Sequence, residues 1–243
     1  MITYLDYKEF IDYKYELRGQ FIELPSEINI SLKNLLRDDV IALRINNNYN
    51  KELEDDKVSF LPKNLEILEF VNFSRFNHKL NLLPKTLRIL YFPEDSKFNC
   101  PLDNLPENLE ILNIKSRHFK QNLDNLPLRL KELIVSDKYN LPLDFLPISL
   151  EVLVVGCKYN KPLDNLPIGL KILYIGYEES FSFTNFSYKL DNLPKSLEIL
   201  YIGGGYQHIL NNLPKSIKKI VVNHHYKYAK EVSEKYGEIF VVI

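Results

Sequence analysis

The sequence predicts a right-handed, β-rich solenoid: short strands in one parallel concave sheet, an extended convex side without helices, and an α/β cap at the C-terminus. Three observations predict it. A Leu-Pro pair recurs with its prolines at Pro62, Pro84, Pro106, Pro127, Pro147, Pro167, Pro194 and Pro214, at intervals of 22, 22, 21, 20, 20, 27 and 20 residues. An L-x-x-L-x-φ pattern follows each pair, from Leu65, Leu68 and Phe70 to Ile217, Ile220 and Val222. An aromatic residue then stands eight residues before the next proline: Phe76, Phe98, Phe119, Tyr139, Tyr159, Phe186 and Tyr206.

Each element follows from these spacings. A period of about 20 to 29 residues is that of a leucine-rich-repeat solenoid, in which one coil cannot bury its own apolar face and stacking completes the core. The last two apolar residues of each pattern lie two apart, on one face of a strand. Pro101, Pro142 and Pro162 fall on the return path, where proline suits extended backbone and opposes helix. An earlier coil is legible at Val40–Asn50, with extra residues around Glu54-Asp55-Asp56. We expect an N-terminal cap at 1–39, about nine coils over 40–223, and a cap at 224–243 built from a helix (Tyr226 to Tyr236), Gly237 and a last strand (Ile239 to Ile243).

Asn follows the aromatic in Phe76-Asn77, Phe98-Asn99, Tyr139-Asn140 and Tyr159-Asn160, and the fullest unit reads Val155-Gly156-Cys157-Lys158-Tyr159-Asn160-Lys161-Pro162-Leu163-Asp164-Asn165-Leu166-Pro167. This resembles the FNIP, or FGxxFN, class of leucine-rich repeats over about residues 40 to 223. The resemblance implies a protein-interaction module of a kind abundant in amoebae and giant viruses, in some members preceded by an F-box. Asn is missing at Phe119-Lys120, Phe186-Ser187 and Tyr206-Gln207, and those coils are expected to be less well pinned.

Composition narrows the function. Among 243 residues, 31 Lys plus Arg against 32 Asp plus Glu give a net charge of −1, which argues against a phosphate-binding surface and so against nucleic acid. No apolar run approaches the roughly 20 residues that span a bilayer, and no apolar leader follows Met1, so no membrane association and a cytoplasmic location (the host cytoplasm, for a viral protein) are expected. The separate His78, His118 and His208, the His224-His225 pair, Cys100 and Cys157 lack metal-ligand spacing, and Gly203-Gly204-Gly205 lacks the Lys-Ser/Thr and helix of a phosphate loop. No catalytic set emerges, and neither metal nor cofactor is expected; the chain reads as a non-enzymatic scaffold.

The binding face is read from the strand residues that flank the core positions. Ile89, Tyr91, Ile111, Ile134, Val152, Val154, Ile172, Tyr174, Ile199 and Tyr201 are apolar or aromatic on neighbouring strands, where a solvated sheet face would alternate with polar residues. An exposed patch of that kind marks an interface, either with another protein or with a second copy in a homodimer. The interval from last strand residue to aromatic varies from 4 in Val155–Tyr159 to 11 in Ile175–Phe186, and the longest insertion adds Phe181 and Phe183 to the candidate surface. One position earlier, Glu66, Arg88, Glu110, Lys131, Glu151, Lys171, Glu198 and Lys218 alternate in sign, a register-supporting ladder. The alternative reading is the substrate-recognition subunit of an F-box-type ubiquitin ligase, from Glu23-Leu24-Pro25-Ser26-Glu27-Ile28 and Leu35-Leu36, which resemble an F-box opening.

Overall fold

The computed structural model describes residues 21–176 and 183–243. The repeat pattern turns into strands where expected: β1 (Phe21–Glu23), β2 (Ala42–Ile45), β3 (Ile67–Phe70), β4 (Ile89–Phe92), β5 (Ile111–Ile114), β6 (Glu132–Val135), β7 (Val152–Val155), β8 (Ile172–Ile175), β9 (Ile199–Ile202), β10 (Lys219–Val222) and β11 (Phe240–Val242). They form one parallel sheet in sequence order. The register sets Leu68, Leu90, Leu112, Leu133, Leu153, Leu173 and Leu200 side by side. All of them are fully buried. Removing each such leucine from water contributes about 1.5–3 kcal/mol, the main stabilising term of every coil.

The second column is aromatic. Ring centroids of Tyr49, Phe76, Phe98, Phe119 and Tyr139 follow one another at 6.5, 6.2, 6.1 and 6.2 Å. Phe186, Tyr206 and Tyr226 continue it at 6.2 and 6.3 Å. In the early coils Phe70 and Phe92 add a parallel stack at 4.6 Å, and Phe92 lies 4.0 Å from Phe98. Tyr226 is therefore a column residue, only 2% exposed, and not the start of the C-terminal helix. No proline follows to flag it, but it stands four residues after Val222, the interval of Val155–Tyr159. The helix, α1, spans Ala229–Tyr236 and buries Val232. Gly237, at φ 58°, ends it, and β11 then pairs in parallel with β10.

At the other end, β1 pairs with β2, so the sheet begins within the segment expected as a cap. A three-residue strand is too short for the repeat pattern to reveal. The extra residues after Leu53 form a small hairpin: Glu54 bridges Ser59 in antiparallel fashion, and the Asp55 carboxylate accepts the N–H groups of Lys57 and Val58. The Lys33 ammonium and those two amides hold the Asp55 carboxyl down at about 2.

Two polar ladders pin the turns. The first was invisible at the level of repeats: Asn46, Ser74, Ser96, Ser116, Thr184 and Asn223 are buried two or three residues before the aromatic. Their side-chain oxygens accept turn N–H groups such as those of Tyr49, Phe76, Phe98, Phe186 and His225, which burial would otherwise leave unpaired. The second uses the expected Asn, but it reaches forward one coil. Asn77 Oδ1 accepts Asn99 N–H at 2.8 Å, Asn99 Oδ1 accepts Lys120 N–H at 2.8 Å, and Asn160 Oδ1 accepts Ser187 N–H at 3.0 Å. Lys120 and Ser187 are thus pinned by the preceding Asn, and a missing Asn costs the following coil its bond, not its own coil.

Candidate interaction surface

The pleat places two rows on the concave face. One runs Ile67, Ile89, Ile111, Glu132, Val152, Ile172, Ile199 and Lys219; the other runs Glu69, Tyr91, Asn113, Ile134, Val154, Tyr174, Tyr201 and Val221. The register thus brings Ile89, Tyr91, Ile111, Ile134, Val152, Val154, Ile172, Tyr174, Ile199 and Tyr201 onto one surface. Their exposure is lower than the sequence suggests. Ile134, Val154 and Ile199 are 4, 8 and 7% exposed, and the others are half-buried. Rungs about 4.8 Å apart let branched side chains cover one another along each row. What the face presents is a closely packed apolar floor.

Aromatic and charged groups mark its two ends. Tyr174 and Tyr201 stack with centroids 5.0 Å apart, and burial pushes both phenols above their ordinary range. Near β1, Arg44 lies over the Phe21 ring at 5.0 Å, with its Nε 3.1 Å from Glu69 Oε2 and an Nη 3.2 Å from Glu23. At the strand entrances the alternating ladder forms Arg88–Glu110 at 2.7 Å, Lys131–Glu110 at 2.8 Å, Lys171–Glu151 at 2.7 Å and Lys218–Glu198 at 2.8 Å, with Arg88–Glu66 looser at 3.8 Å. Burial pushes the Glu110 carboxyl up, but hydrogen bonds from Lys131 and Arg88 outweigh it and leave it below its ordinary range.

Glu132 is the acid set into the apolar floor, between Ile111 and Val152. Burial, and secondarily the charge of Glu151, raise its carboxyl above the ordinary range, with Lys131 opposing. A carboxyl raised in the folded state contributes stability that is full below its unfolded value, about 4.3, and is lost as pH rises through the folded value. Glu132→Gln is therefore expected to raise the melting temperature at pH 7 by about 2–4 °C and by much less at pH 4. Equal shifts at the two pH values would show that the carboxylate is not penalised by its setting.

The long insertion returns onto the sheet edge. Phe183 is 57% exposed, bridges Gly204 in parallel, and stacks on His225 at 4.9 Å; Thr184 N–H donates to Gly204 O. Phe181 lies outside the described residues. The glycine run Gly203-Gly204-Gly205 serves this contact: Gly205 has φ 85°, and a Cβ there would come within 2.9 Å of the Phe183 ring. Phe183 lies on the edge that follows the strands, not in the two concave rows. The Glu23–Ile28 and Leu35-Leu36 segments form part of the first coil, where Glu23 ends β1 and Leu24 is buried, with no helix over residues 21–39. Cys157 is buried and Cys100 half-buried. Among the described residues no helix is long and apolar enough to cross a membrane.

No family model and no curated protein sequence matches the chain. Among solved structures it is similar to CroV588, a novel circular LRR protein, with a TM-score of 0.62 and 24% identity over 84% of this chain and 34% of that one. It is also similar to YopM from Yersinia enterocolitica WA-314, with a TM-score of 0.53 and 27% identity over 79% of this chain and 39% of that one. The chain thus spans between 34 and 39% of the length of these neighbours. With the in-order parallel sheet, these likenesses establish a leucine-rich-repeat solenoid.

Proposed function

We propose that the chain is a non-enzymatic protein-interaction scaffold with FNIP-type coils, and that its concave face holds a protein partner, foremost a second copy of itself. The observation that carries this reading is the apolar floor itself: aliphatic residues on consecutive strands, together with the stacked pair Tyr174 and Tyr201. Tyrosine contributes a large, rigid contact area at low entropic cost, and a face shared by two copies is self-complementary and closes as a dimer. The aromatic-Asn pairs and their forward hydrogen bonds support the FNIP assignment.

Light scattering coupled to size exclusion, over a range of concentrations, tests the reading. We expect a dimer that the double substitution Tyr174→Asp, Tyr201→Asp converts to monomer with an unchanged circular dichroism spectrum. A dimer that survives it removes the concave site. A wild-type monomer at every concentration removes self-pairing, and the same double variant then serves as the negative control in partner capture.

A further inference from the structure

The turn leading into each strand carries a second surface. The residue after the repeat proline is Lys63, Lys85 and Glu107 in three early coils and Lys195 and Lys215 in two late ones, so the position elsewhere holds a solvated charge. In three consecutive coils between them it is Leu128, Ile148 and Ile168, and these are 80, 66 and 75% exposed. Each stands five residues before the register-matched Leu133, Leu153 and Leu173. Each also sits in the same turn, closed by a bond of 3.0 Å from Leu130, Leu150 or Leu170 N–H to the repeat proline carbonyl. The three therefore stack at strand spacing, about 4.8 Å per rung, into one aliphatic stripe. Phe145, 69% exposed, adds an aromatic at the middle coil.

The stripe has a charged flank of one sign. Asp124, Asp144 and Asp164, each four residues upstream, are exposed and make no ion pair or hydrogen bond with any described residue. On the other side Lys131 and Lys171 are ion-paired with Glu110 and Glu151, while Arg129 donates to the neutral Asn108 and is a lone cation beside Leu128. The three carboxylates outnumber that one cation, so the net charge beside the apolar stripe is acidic.

We propose that this stripe docks a cationic amphipathic helix of a partner protein. A helix laid along the solenoid repeats every 5.4 Å or so, close to the rung spacing, and so sets apolar residues at i, i+3 or i+4, and i+7 over Leu128, Ile148 and Ile168. Lys or Arg on one flank of that helix meets the Asp row. A second copy paired antiparallel about Ile148 fits poorly, because it sets Asp144 against its own copy and Asp124 against Asp164. This surface is separate from the concave face.

The test is fluorescence anisotropy of the full chain with a designed helical peptide carrying Leu at those spacings and Lys along one flank, beside a second peptide with Glu in place of Lys. We expect the Lys peptide to bind, the Glu peptide to bind at least about tenfold more weakly, and Ile148→Asp to weaken the Lys peptide by at least about tenfold. Tyr174→Asp with Tyr201→Asp should leave peptide binding unchanged. Circular dichroism verifies the fold of each variant, and Ile168→Asp replaces Ile148→Asp if the latter misfolds. Equal binding of the two peptides, or indifference to both stripe substitutions, overturns the proposal. So does a dimer of the chain that Ile148→Asp dissociates, which would assign the stripe to a second copy.

Discussion

Gly156→Ala is expected to be among the most damaging single-methyl changes in the molecule, lowering stability by about 3–5 kcal/mol, at the upper end of what point substitutions do. Gly156 follows β7, where the chain passes over the turn of the coil before it. A Cβ there would lie 2.1 Å from Asp137 Cα and 2.5 Å from both Asp137 N and Ser136 O. The obstruction is backbone against backbone, so no change of rotamer relieves it, and the two coils must separate. Gly237 provides the control. Its φ of 58° strains an alanine, but nothing lies within 4 Å of the added atom, so Gly237→Ala should cost only about 1–2 kcal/mol. Urea denaturation of both variants decides the matter: a Gly156→Ala protein as stable as Gly237→Ala would mean that the close approach does not exist in solution.

Phe98→Ala is the second large effect. Phe98 is fully buried, 4.0 Å from Phe92 and within 6.2 and 6.1 Å of Phe76 and Phe119. Truncating a core phenylalanine costs about 3–5 kcal/mol through lost burial and the cavity left behind. In a solenoid that loss is not shared evenly, because each coil contacts only its neighbours. We expect hydrogen exchange in the variant to accelerate over β3 to β5 while β8 to β10 stay protected. Uniform acceleration along the sheet would indicate a single cooperative unit.

The periodic part of this fold was legible because each coil repeats the same local solution. Leu68, Leu90 and Leu112 could be aligned by counting from Pro62, Pro84 and Pro106, and the strands formed on those residues. Features that arise only when coils stack were not legible. The exposure of Ile134 and Val154 depends on side chains one rung away, which no single repeat displays. Leu128, Ile148 and Ile168 are 20 residues apart and look like isolated apolar residues in turns until the register joins them. Tyr226 escaped because the proline that marks the other aromatics is missing after it, and β1 because a strand of three residues carries no repeat. The candidate face was thus placed by counting, while its openness, and the surface beside it, were set by packing between coils.

The alternating charges at the strand entrances give the solenoid a parity. Excising residues 128–147, one coil, would bring Glu110 next to Glu151, two like charges on neighbouring strands. Excising residues 128–167, two coils, would bring Glu110 next to Lys171 and restore an opposite pair. Each pair is worth only about 0–1 kcal/mol, so the rule is a bias and not a barrier. It nonetheless makes the coil pair, and not the single coil, the module by which this sheet can lengthen or shorten while every rung keeps a neighbour of opposite sign.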